Sequence, residues 1–244
     1  RQLREYNETL EEKVKERTSM IQKQNEEITI QRDLLSKQNE NITDSIVYAS
    51  LIQQALLPAT EILKIHLPVH FILFKPRDIV SGDFYWFKQV EKSIYIAVAD
   101  CTGHGVPGAF MGTLGISLLN DALNNCDIKS PEMVLEELRI RIKTSLHQER
   151  TQDGMDIALC LIDMETKKAK FSGANNPLYL IRNAELIEYK GDRMPIGIYP
   201  KDDQNFTCHE IQLKSDDSIY IFSDGYISQF GGDKSFKYSA KRFQ

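Results

Sequence analysis

Three aspartates stand at the ends of apolar, β-rich runs: Asp83 in SGDFYWF (81–87), Asp100 in IYIAVADCTGHGVPGAFM (94–111) and Asp224 in IYIFSDGY (219–226). Ile94 to Ala99 reads as a short buried strand that delivers Asp100 to the lip of a core. The turn behind it, with Gly103, Gly105 and Gly108 around His104, lets backbone approach that carboxylate closely, and Pro107 then opens a helix. The run ending at Asp224-Gly225 repeats the design, and Asp83 sits where a glycine turn enters an aromatic-rich strand. Taken singly, each acid also fits a turn or a helix cap. Together, and without clustered His or Cys, they make an oxygen-donor set suited to hard divalent cations, Mg2+ or Mn2+. Two such ions about 3.5–4 Å apart can hold a bridging hydroxide and both oxygens of an in-line displacement, so phosphate ester hydrolysis is the natural use.

Other polar residues near these runs carry alternatives. The Arg77 guanidinium suits phosphate oxygens, or it is a solvated arginine beside Pro76. His104 protonates a leaving group, or it occupies the glycine turn. Asp153 and Asp156 flank Gly154-Met155 at a strand entrance and read first as structural, with an auxiliary metal as the other option. Asn175 and Asn176 read as turn residues near a cleft, and Trp86, the only tryptophan, as core.

The elements that must position these groups follow from composition and pattern. The chain has 244 residues, 41% hydrophobic and 27% charged, enough for one sizeable core with an appendage. A formal net charge of −5 and the lack of a Lys/Arg block argue against nucleic acid as a partner. Four scattered cysteines (Cys101, Cys126, Cys160, Cys208) with no CxxC pair fit a reducing, cytoplasmic compartment and not a disulfide frame or zinc site. No signal peptide opens the chain, and no stretch approaches the roughly 18 apolar residues of a membrane span.

Residues 1–57 contain neither Gly nor Pro. Val14, Ile21, Ile28, Leu35, Ile42, Ala49 and Leu56 repeat every seventh residue as an a series; the d series Leu3, Leu10, Arg17, Gln24, Gln31, Gln38, Ser45 and Ile52 turns polar in its middle. β-Branched a residues favour a parallel two-stranded coil, which the polar d run weakens. The pattern fits a homodimeric signalling linker, with a permanent dimerisation stalk or a solvated single helix as alternatives. Because the pattern is under way at Arg1, an upstream sensor is expected, and the apolar stretch SIVYASLIQQALL (45–57) is expected to dock on the domain behind it. Pro58 ends the helix. From 58 to 244 the order is strands (Val69–Phe74, Phe84–Val90, Ile94–Ala99), a helix to about Asn124, a helix from Ser130-Pro131-Glu132 to about His147 with Met133, Leu135, Leu138, Ile142 and Leu146 as its apolar face, then strands Asp156–Met164, Ala169–Ser172, Leu178–Arg182, Leu186–Tyr189, Phe206–Leu213 and Ser218–Ser223. This is an α+β domain with antiparallel sheets backed by helices.

The ordered set SGDFYWF, VADCTGHGVPGAF, FSGANNPLYLI, RMPIGIY and IFSDGY resembles the PPM family of metal-dependent serine/threonine phosphatases, in its bacterial sporulation-protein-E-like branch, over about 46–238. The resemblance implies an α-β-β-α sandwich with two metals in the cleft between antiparallel sheets. It implies Asp100 as the acid bridging both ions, the main-chain carbonyl of Cys101 and the Asp83 carboxylate on one of them, and Asp224 on the other. It also implies a phosphoserine or phosphothreonine protein as substrate, such as an anti-sigma-factor antagonist, and attack by a metal-bridging hydroxide without a phospho-enzyme. One feature of the family pattern, a further strand with an acidic pair beyond the Asp-Gly motif, has no counterpart before Gln244, so a shortened domain is expected. Two rivals belong to other classes: a pseudo-phosphatase that binds a phosphoprotein without cleaving it, and a scaffold whose task is coiled-coil dimerisation.

Overall fold

The computed structural model describes residues 2–124, 130–146, 153–199, 204–231 and 236–243; Cys126, His147 and Gln244 lie outside them. The chain divides into two compact units, 1–48 and 49–244. A single helix, α1 (Gln2–Leu56), supplies every described residue of the first unit. Along that helix the a-series residues Val14, Ile21, Ile28, Leu35 and Ile42 are all exposed on the single chain. Its last turns belong to the second unit, where Ser50 and Gln53 are its buried residues.

The second unit continues through α2 (Thr60–His66), the hairpin β1 (Phe84–Val90) and β2 (Ser93–Cys101), the helices α3 (Gly105–Asn124) and α4 (Pro131–Ser145), and six strands. These are β3 (Met155–Asp163), β4 (Lys168–Ala174), β5 (Leu178–Arg182), β6 (Glu185–Tyr189), β7 (His209–Gln212) and β8 (Ser218–Ile221), followed by the small hairpin β9 (Phe230–Gly231) and β10 (Phe236–Lys237) and a last turn of helix, α5 (Ala240–Phe243). β1-β2-β3-β4-β7 form one antiparallel sheet and β6-β5-β8 a second.

Strand alternation sends successive side chains to opposite faces, so the five-stranded sheet feeds two cores. Tyr95, Ala97, Ile157, Leu159 and Leu161 pack in one core with α3 and α4 residues such as Leu119, Leu135, Leu138 and Ile142. Ile94, Ala158, Cys160, Ile162 and Phe171 pack in the other with Leu178 and Leu180 of the second sheet. The result is the expected α+β sandwich with antiparallel sheets and flanking helices. Because β3 is buried on both faces, its run from Ile157 to Ile162 is continuously apolar where a half-exposed strand would alternate.

Several details differ from the sequence reading. Val69–Phe74 is not a strand: Pro68 and Pro76 bracket it and contribute no N–H donors, and Phe71 and Phe74 turn their rings onto Tyr220 and Tyr85. In α4 the buried face carries Val134 and Arg139, whereas Met133 is exposed. The short α2, the β9–β10 hairpin and α5 carry too few residues for a periodic signal. The membrane expectation is revised as well: within 2–66 one helical stretch is long and apolar enough to cross a bilayer by length and composition alone. Pro58 separates α1 from α2 in that region, and Ser50, Gln53 and Leu63 there are buried on the protein.

Candidate active site

Strand pairing brings the sequence-predicted acids together. Asp83 immediately precedes β1, whose first residue Phe84 pairs with Ala99, so it lies beside the end of β2 that carries Asp100. Asp224 follows β8 of the other sheet in a turn that its own carboxylate caps, accepting from Ser228 Oγ at 2.7 Å. Asp100 makes hydrogen-bonding and electrostatic contact with both Asp83 and Asp224. Asp83 Oδ2 further accepts from Ser223 Oγ at 3.1 Å, tying the two sheets at this point.

Burial, then the charges and hydrogen bonds of Asp83 and Asp224, push the Asp100 carboxyl up to about 8. Across the β2–β3 pair Asp100 faces Asp156, whose carboxyl is also raised by burial, with the Asn175 amide (2.8 Å to Oδ1) opposing and the Asp224 charge adding. Asn175 reaches it from a left-handed backbone conformation (φ 60°), the geometry that asparagine tolerates best among side chains of its size. The Cys101 thiol is buried and raised, by desolvation first and by Asp100 and Asp83 next, so its sulfur is inert and its carbonyl is the usable group. That carbonyl lies against the backbone before Asp83: a Cβ on Gly82 would meet Cys101 O at 3.1 Å and Gly103 O at 3.0 Å. Gly108 closes the same contact, since its Cβ would stand 2.6 Å from Gly103 O. Thr102 anchors the turn to Gly154 through its backbone N–H (2.9 Å) and its hydroxyl (3.1 Å).

Asp100, Cys101, His104 and Asp156 line an open cavity of about 460 Å3 whose lining also includes Pro195 and Ile198. His104 stands at the mouth with Nδ1 3.3 Å from Asp78 Oδ2. Arg77 is exposed and does not line the cavity, and neither does Asp153. Trp86 is core, its Nε1 donating to Asn120 at 3.3 Å. The sequence reading named Asp156 but took it first as structural, and the register that sets it opposite Asp100 brings it to the site. It missed Asp78, which only its contact with His104 reveals.

Among the described residues no three His, Cys, Asp or Glu side chains close around one point at ligand spacing. Asp83 and Asp224 instead lie close enough to Asp100 to raise its carboxyl. A half-buried carboxylate held protonated by two like charges is the arrangement a hard cation relieves, and an all-oxygen set matches Mg2+ or Mn2+. The residues present fit such ions.

Comparison with known proteins agrees with this fold. The SiaA-PP2C domain of Pseudomonas aeruginosa superposes with a TM-score of 0.75 at 35% identity, covering 84% of this chain and 80% of that one. The phosphoserine phosphatase RsbU of Bacillus subtilis is 27% identical over 155 residues, 62% of this chain and 44% of RsbU, so the chain spans under half the length of that relative. The PP2C phosphatase domain of SpoIIE from Bacillus subtilis shares the fold, with a TM-score of 0.53 at 22% identity over 61% of this chain and 43% of that one. Residues 91–244 match the Stage II sporulation protein E (SpoIIE) family, and the chain therefore belongs to that family of PP2C-type phosphatase domains.

Proposed function

We propose that this domain hydrolyses phosphoserine or phosphothreonine on a regulatory protein, using Mg2+ or Mn2+ held by Asp83, Asp100, the Cys101 carbonyl and Asp224. The observation that carries the reading is the meeting of Asp83 and Asp224, from two different sheets, on Asp100 at the wall of an open cavity. When bound, such cations neutralise phosphoryl oxygens and make water a competent nucleophile at neutral pH. The chain's own residues do the rest. β2 and β3 hold Asp100 and Asp156 on a rigid sheet, and Asn175 fixes the Asp156 carboxylate. His104, with Nδ1 engaged by Asp78, is the group at the mouth that delivers a proton to the departing serine oxygen. Pro195 and Ile198 give the cavity an apolar wall against the peptide.

The likeness to the phosphoserine phosphatase RsbU supports a phosphoserine substrate, and an antagonist of an anti-sigma factor is the partner class we assign. The exposed a series of α1 supports a parallel homodimer that relays the state of an upstream sensor to a cytoplasmic phosphatase. The test is Mn2+-dependent phosphate release from a phosphoserine peptide. The protein should turn over and Asp100→Asn should lose at least a hundredfold; equal rates in both would defeat the assignment.

A further inference from the structure

α1 is 55 residues long, and its buried residues are two polar ones, Ser50 and Gln53. A buried glutamine needs partners for its donor and its acceptor. Gln53 finds both on a single residue: Nε2 donates to Ser81 O at 2.7 Å, and Ser81 N donates to Oε1 at 3.0 Å. This two-point grip fixes the main chain of Ser81 as a neighbouring strand would. Ser81 Oγ then accepts from the Asp83 N–H at 3.0 Å. Between them Gly82 is pressed against the Gly103 turn, where a Cβ would stand 3.0 Å from Gly103 O and 3.5 Å from Gly108 Cα. Ser81 and Gly82, which lead into Asp83, are thus held by α1 on one side and by the glycine turn on the other.

We propose that Gln53 is a positioning residue for the metal site: through Ser81 it sets where the Asp83 carboxylate meets the cation. A helix-anchoring glutamine could have bonded any backbone group; this one holds the residue whose hydroxyl orients Asp83. The proposal rests on the reading of Asp83 as a metal ligand. Groups that orient a ligand contribute to affinity without touching the ion, and one neutral hydrogen bond lost corresponds to about a three- to tenfold change.

The test is Mn2+ affinity, read from the electron paramagnetic resonance of free Mn2+, for the wild-type protein, Gln53→Leu, Gln53→Glu, Asp83→Asn and the double variants. Gln53→Glu keeps the side-chain size, sets an acceptor oxygen in place of the donor nitrogen and adds a charge when ionised, so it carries the test if Gln53→Leu does not fold. Both Gln53 variants should bind Mn2+ about three- to tenfold more weakly, and by less than about twofold in the Asp83→Asn background, because coupled residues are non-additive. Unchanged affinity, or the same loss in both backgrounds, overturns the positioning role. Wild-type affinity in Asp83→Asn alone overturns the ligand assignment, a separate outcome.

Discussion

Replacing Asp100 with asparagine should stabilise the metal-free protein while destroying its response to metal. The Asp100 carboxyl is raised from 3.8 to about 8, so the metal-free fold binds a proton that the unfolded chain has released. The folded value lies above the unfolded one, so stability falls as pH rises from about 4 to about 8 and is flat beyond. At about 1.36 kcal/mol per unit the gross cost is roughly 5–6 kcal/mol, and the partial exposure of Asp100 screens this to about 1–3 kcal/mol. Asparagine carries no such cost. In EDTA at pH 8, Asp100→Asn should therefore melt roughly 2–10 °C above wild type, the gap closing below about pH 4. In excess Mn2+ the order should invert, because only the wild type gains binding energy. Thermal melts across pH in EDTA and in Mn2+ check this. A variant that melts below wild type in EDTA at pH 8, or a gap independent of pH, would refute the reasoning.

Other expectations follow from particular contacts. Gly108→Ala forces a Cβ to 2.6 Å from Gly103 O and 3.1 Å from Gly82 Cα, both backbone; urea unfolding should show a loss of about 1–3 kcal/mol, together with weaker Mn2+ binding. Asp217 is held down at about 2 by its hydrogen bonds and charge contact with Arg182. Its contribution is present above the unfolded value of about 3.9 and is lost as pH falls towards 2, so the stability gap between wild type and Asp217→Asn should close over that window. Asn175→Gly keeps the left-handed backbone but removes the amide on Asp156. The Asp156 carboxyl should then titrate higher still in EDTA, as read by carboxyl-carbon NMR, and an unshifted titration would show that the hydrogen bond does not act on it.

The sequence carried the sandwich because alternation and turn chemistry are local: Leu178–Arg182 and the Asn183-Ala184 turn stand where expected, both turn residues at positive φ. The acids were legible because each ends an apolar run. What was not legible depends on pairing at a distance. Asp156 looked structural until the register set it opposite Asp100, and Val69–Phe74 looked like a strand until its aromatic rings were seen packing without a ladder. Gln53 read as one more polar residue of a helix, since nothing local distinguishes a glutamine that faces solvent from one that grips Ser81.

The most direct measurement is calorimetric titration of Mn2+ into wild type and Asp100→Asn at pH 7, in buffers of different ionisation enthalpy. Wild-type binding should release about one proton, since Asp100 must shed the one it holds, and binding should be lost in Asp100→Asn. Mn2+ binding of equal strength in both proteins, with no proton released, would contradict this expectation.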